Sequence, residues 1–273
     1  MLLLLFSPLL AAAQAFDHGH KAWTALLAQH VRWLPGGHAS QVDYKGFARD
    51  RAALTAYTRS LSAVTQNDFA SWSKPQQLAF LINAYNAFTI EKVLQRYPNL
   101  ESIRDFGKVF GNPWKDAFFT LLGAPRSLDD IEHGMIRAPG RFDEPRIHVA
   151  VVCASIGCPA LRPEAYTAAT LDAQLEDSMV RFMGDRTRNR YNPADKTAEI
   201  SRIFDWYAKD FEQGHQGFGS VQQDVLARYA EQLANNSTDR RVLENKQAAI
   251  RFLEYDWALN DVKSPGPAQP ALR

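Results

Sequence analysis

"RIHVAVVCASIGCPAL", Arg146 to Leu161, is the stretch on which the fold class turns. Its first seven residues form a β-branched, nearly continuous apolar run, which predicts a buried strand. The rest of the chain is patterned for helices. "SKPQQLAFLINAYNAFTIEKVLQRYP" opens at Ser73 with Gln76 three residues on, a capping-box spacing, and carries an apolar stripe of Leu78, Leu81, Ile82, Tyr85 and Phe88 until Pro98 stops it. "SLDDIEHGMIR" repeats the start signal with Ser127 and Asp130, and Pro139 closes it. Residues 17–34, 171–183, 200–211 and most of 221–259 read as further helices. One strand signal among many helices predicts an α-rich α+β domain with a small β-sheet.

The chain has 273 residues, 46% of them hydrophobic, which is ample for a core. Its net charge of +1 gives no electrostatic reason to expect nucleic acid or an anionic membrane surface as a partner. Leu2 to Ala13 is too short to span a bilayer, and Ala13-Gln14-Ala15 fits the pattern that signal peptidase accepts, so residues 1–15 are expected to be a signal peptide and the mature chain exported, most simply to a periplasm. No later segment approaches ~18 uninterrupted apolar residues, and no integral membrane segment is expected after cleavage. Residues 16–262 show no repeat or dividing linker and read as one globular domain, followed by a Pro-rich tail at 263–273. "DRTRNR", Asp185 to Arg190, reads as a solvated loop.

Helical spacing places Leu128, Ile131, Met135 and Ile136 on one face, with Glu132 in its middle. A carboxylate carried toward a core must be paired or retain its proton. His133 and Arg137, four residues apart, flank it. On a strand, Arg146 and His148 share one face and Cys153 takes the other; at ~3.3 Å per residue His148 and Cys153 stand ~16 Å apart. A nucleophilic Cys153 would then need its base from another element, and His133 is the better candidate. The following "ASIG", with Gly157, is expected to form a tight turn aiming backbone N–H groups at an oxyanion.

The same two cysteines leave other readings open. They form one disulfide if the turn brings their Cα atoms within ~7 Å; they join His133 and His148 as zinc donors; or they are buried core cysteines. Neither a C-x2-C nor an H-x3-H pair occurs, so no metal or cofactor is expected. Asn83 and Asn86, beside the stripe of their helix, each require several partners and are read as substrate-binding or histidine-orienting amides, with a loop clamp as the structural alternative.

Four blocks in order, "FLINAYNAFTI" (80–90), "GNPWKDAFFTLLGAPRSLDDIEHGMIR" (111–137), "PRIHVAVVCASIGCPALRPEAY" (145–166) and "SRIFDWYAKDF" (201–211), resemble the family catalogued as "domain of unknown function 547", with a family-like core over about 73–213. The resemblance implies family-typical positions at Asn83, Asn86, Glu132, His133, Arg137, Arg146, His148 and Cys153, and makes a Cys-His-Glu arrangement in a papain- or transglutaminase-like setting attractive. Leu81 stands where the family often has Trp, and Ala154 where it often has Gly. The expected function is a thiol-dependent hydrolase or acyltransferase acting on an amide or a small peptide that carries a carboxylate. Cys153 attacks, His133 takes its proton and Glu132 orients the imidazole, while Arg137, Arg146 and His148 bind the carboxylate. The rival is a non-catalytic exported binding module for a small anionic ligand or peptide; a zinc-binding protein is third.

Overall fold

Ser73 and Gln76 exchange hydrogen bonds across the first turn of the longest helix, as the capping-box spacing predicts, and Lys74–Leu94 follows without a break. A computed structural model describes residues 15–107, 111–212 and 218–263. The signal peptide expected over 1–15 and the tail over 263–273 lie almost wholly outside the described residues.

The helices run α1 (Lys21–His30), α2 (Tyr44–Arg49), α3 (Arg51–Ser62), α4 (Gln66–Ser71), α5 (Lys74–Leu94), α6 (Leu171–Gly184), α7 (Ile203–Trp206), α8 (Ala208–Glu212), α9 (Leu226–Arg228), α10 (Ala230–Leu233) and α11 (Ser237–Glu244). Strands β1 (Val31–Trp33) and β2 (Ser40–Val42) form one antiparallel hairpin, and β3 (Phe119–Leu121) and β4 (Ala124–Arg126) another. A three-stranded sheet has β6 (Thr197–Ser201) at its centre, antiparallel to β5 (Arg190–Asn192) and parallel to β7 (Ala249–Leu253). The fold is α+β in one compact domain, as expected. Its two apolar clusters are both touched by Tyr255.

Helix α5 is more deeply buried than its stripe predicts: every residue from Gln77 to Ile90 is buried. Alanines and asparagines fill the faces between the large apolar residues, so neighbours pack on all sides, α2 and α3 among them. Other spans differ from expectation in type. Residues 31–33 leave the first predicted helix as a strand, 197–201 form the central strand where a helix was expected to begin, and 249–253 form a strand inside a predicted helical stretch.

The decisive correction concerns "RIHVAVV", which is not a strand. Pro145–Val149 is a 3-10 turn whose first free N–H, that of Arg146, bonds the Glu144 carboxylate at 3.0 Å. A buried extended segment would need a neighbouring strand for its backbone. Here the Asn86 side chain takes that part, donating to Ala150 O and accepting from Val152 N, both at 2.9 Å. Asn83 does the same for Tyr166, donating to its carbonyl at 2.7 Å and accepting from its N–H at 3.0 Å. With both amides bonded to backbone and neither lining the cavity described below, the two asparagines act as the loop clamps of the alternative reading.

Candidate active site

The segment after Ser127 begins as predicted, with the Ser127 hydroxyl and N–H bonding the Asp130 carboxylate. It continues as a π-helix, Asp130–Ile136, closed by Arg137 N–H on Glu132 O. Such turns are rare and often found at functional sites. Leu128, Ile131 and Ile136 are buried on the expected face, and Glu132 is buried with them, 6% exposed.

Glu132 opens on a cavity of about 230 Å³ together with His133, His148, Cys153, Cys158 and aromatic residues from α7 and the segment after β7. Cys153 and Cys158 are joined as a disulfide with Cα atoms 6.3 Å apart, so neither thiol is free in this state. Cys153 is half-buried and Cys158 buried. The Tyr255 hydroxyl lies 3.2 Å from Cys153 Sγ and 3.1 Å from Cys158 Sγ, and Ser155 donates to it at 3.1 Å. Burial holds the Tyr255 phenol well above its ordinary pKa, so it keeps its proton beside the sulfurs.

The turn between the cysteines does not serve the oxyanion role read from its sequence. The N–H groups of Ile156, Gly157 and Cys158 bond the carbonyls of Ala258, Asp256 and Ser155. Gly157 is needed for space: a Cβ there would stand 2.9 Å from the Tyr255 ring and 3.0 Å from Asp256 O. The left-handed residue is Ala154, at φ 63°, a conformation that favours glycine. Arg188 braces the turn from behind, donating to Ile156 O at 3.1 Å and to Cys158 O. It is buried and paired with buried Asp185, so "DRTRNR" is not the solvated loop expected.

The two histidines exchange importance. His133 is exposed; Arg137 donates to its Nδ1, and Asp129 lies 3.3 Å from its Nε2. Its lone pair is already occupied, and Glu132 does not orient it, because consecutive residues of a helical turn point in different directions. His148 is buried, its Nε2 bonded to Asp210 Oδ2 at 2.7 Å and its ring stacked on Tyr207 at 3.7 Å. Its Nδ1 is buried with no hydrogen-bond partner among the described residues. Burial, outweighing the pull of Asp210 and Glu132, lowers the His148 pKa below its ordinary value and favours the neutral ring. Burial acts to raise Asp210, but hydrogen bonds from His148 and Arg137 overcome it and hold this carboxyl well below the usual carboxylate range. Because the chain turns rather than extends after His148, the ~16 Å separation from Cys153 expected on a strand does not apply; both residues line one cavity.

Tyr207 joins the acidic and imidazole sides, donating from its hydroxyl to Glu132 Oε1 at 2.8 Å. Neither arginine expected to bind substrate lines the cavity. Arg137 bonds Asp210 at 2.6 and 3.1 Å and lies over the Tyr207 ring. Arg146 is buried among Glu144, Asp172 and Glu176. Both guanidinium groups are consumed by internal carboxylates. Among the described residues no group of three His, Cys, Asp or Glu is placed to hold a metal ion.

Sequence reasoning missed Asp210, Tyr207, Tyr255 and Arg188. The first two stand in the block "SRIFDWYAKDF", whose periodicity signals a helix and does not single them out. Nothing local marked the others.

The model of the family described as "Protein of unknown function, DUF547" matches residues 69–183, which shows the resemblance for that segment. The match includes Asn83, Asn86, Glu132, His133, His148 and both cysteines; Tyr207, Asp210 and Tyr255 lie beyond it. No curated protein and no solved structure matches the chain.

Proposed function

We propose that the cavity is a thiol-dependent acyl-transfer site, with Cys153 as nucleophile toward an amide or thioester and His148, oriented by Asp210, as its base. The observation that carries this reading is the His148 imidazole, held through Nε2 and unpartnered at Nδ1, on the same cavity as Cys153. The Asp210–His148–Cys153 set is a Cys-His-carboxylate arrangement, with Asp210 in the orienting role that an asparagine amide takes in papain-like sites, recognised by roles rather than chain order. An external dithiol supplies two electrons and two protons to open the Cys153–Cys158 disulfide and is itself oxidised. His148 Nδ1 takes the Cys153 proton, and the thiolate adds to the carbonyl carbon. The C–N bond then breaks, the imidazolium protonates the leaving amine, and water hydrolyses the thioester with His148 again as base. Tyr255 donates its hydroxyl to the developing negative charge.

The disulfide accords with an oxidising compartment, and we keep export, with residues 1–15 as its signal, as part of the proposal. It also favours a second reading, a non-catalytic binding module that uses the same cavity in the oxidised form. Alkylation separates them. The purified protein is treated with and without dithiothreitol, the reductant removed, and iodoacetamide incorporation followed from pH 5 to 9, with the site located by mass spectrometry. We expect no labelling before reduction, fast labelling of Cys153 at pH 6 after it, and a loss of ten-fold or more in His148→Ala. Labelling of Cys153 only near the ordinary thiol pKa of ~8.5 would leave the binding module.

A further inference from the structure

Sequence reasoning assigned this cavity a carboxylate-bearing substrate, but its charges have the opposite sign. Among the described residues, Asp129, Glu132, His133 and His148 are the ionisable side chains that line it besides its tyrosines and cysteines, and no described lysine or arginine does. Burial favours the neutral form of His148, and His133 already faces Asp129. Glu132 is more than nine-tenths buried, accepts hydrogen bonds from the hydroxyls of Tyr207 and Tyr85, and has no ion pair with any described lysine, arginine or histidine. Arg137 feels its charge but is paired with Asp210. A buried carboxylate without a countercharge is costly.

The walls supply a second, independent feature. Among the described residues Trp206 is the large apolar residue left most exposed, 46%, and it stacks on Trp257 at 5.7 Å while Tyr255 packs against both. Aromatic faces attract organic cations, and carry that attraction best where water is excluded. A volume of about 230 Å³ accommodates a compact group of several heavy atoms rather than a folded partner.

We propose that the cavity recognises its substrate by an alkylammonium group, seated against Glu132 and walled by Trp206, Trp257 and Tyr255. The term substrate rests on the acyl-transfer reading; recognition of the ammonium group does not require turnover.

The test uses the Cys153→Ser/Cys158→Ser chain, which can neither turn over nor change redox state. It is titrated with n-butylammonium, butyramide and butyrate, read by tryptophan fluorescence and calorimetry at low salt. We expect butylammonium to bind at least ten-fold more tightly than either isostere, with an affinity that falls as salt rises. Glu132→Gln should lose that ten-fold preference while its affinity for butyramide is unchanged. Equal affinity for the three probes, a preference for butyrate, or no binding of butylammonium at 100 mM, a concentration about a hundred-fold above a millimolar Kd, would overturn the proposal. The comparison of probes on one chain stands even if Glu132→Gln fails to fold. Ammonium binding without Cys153 reactivity would retain this inference and discard acyl transfer; the reverse result would do the opposite.

Discussion

Asn86 offers the sharpest test of how this site is built, because one buried amide holds the turn that leads to Cys153. It is 3% exposed, and its donor and acceptor each meet a backbone partner at 2.9 Å. Asn86→Ala strands a buried carbonyl at Ala150 and a buried N–H at Val152. At about 1–3 kcal/mol for each unsatisfied group, the expected loss is about 2–6 kcal/mol. In a chain of this size that lowers Tm by roughly 2–4 °C per kcal/mol. Asn86→Asp is more diagnostic. The ionised carboxylate still accepts from Val152 but turns an oxygen toward Ala150 O, whereas the protonated acid donates to that carbonyl and restores the pattern.

The folded-state pKa of the new carboxyl is therefore raised above its unfolded value of about 3.9. Relative to the parent, the variant's deficit is small below that value and grows as pH rises toward the folded pKa, by up to about 1.4 kcal/mol per pH unit. Urea unfolding followed by circular dichroism at pH 4 and pH 7.5, with the disulfide intact, measures it. The clamp argument fails if the deficit is the same at both pH values, or if neither variant is destabilised.

Two further outcomes follow from other buried groups. Arg146→Met leaves Glu144, Asp172 and Glu176 facing one another without their shared cation; the Glu144 side chain is 7% exposed, that of Asp172 81%, and a loss of about 2–4 kcal/mol in urea is expected, below the limit for a fully buried pair. If the arginine instead bound substrate, stability would be unchanged. His20 is buried against Tyr57, bonded to it at 2.8 Å, and burial, only partly opposed by Asp17, lowers its pKa to about 4. The unfolded chain binds the proton from about pH 6.5 downward and the folded one only near 4, so stability is full above about 6.5 and lost as pH falls toward 4. Unfolding free energies between pH 7.5 and 4.5 should fall less steeply in His20→Gln; an unchanged slope would count against burial as the cause.

The elements legible in the sequence are those whose signals lie within one turn of themselves. Ser73 with Gln76 and Ser127 with Asp130 are caps written in four residues, and both form. Glu132 is placed on a buried face by spacing alone, which survives the change from α- to π-helix because the offset over a single turn is small. The α+β class also holds, although for a different reason from the one offered. The strand expected in "RIHVAVV" is a 3-10 turn, and the sheet comes from β5, β6 and β7, of which β7 lies inside a predicted helical stretch and β6 overlaps the start of another.

What tertiary structure decided is where buried polar groups find their partners. Asn86 satisfies backbone 64 and 66 residues away, and His148 meets Asp210 across 62. Tyr207 reaches Glu132 across 75, and Tyr255 reaches Cys153 across 102. Periodicity and capping act over three or four residues, and they state only that a group is buried. Which group completes its hydrogen bonds depends on loop paths that no local pattern encodes. The sequence therefore determined that a carboxylate, histidines and cysteines would enter one domain with its main helices. Packing determined that His148 has its orienting acid, that His133 and both arginines are already occupied, and that the cavity is left acidic and aromatic.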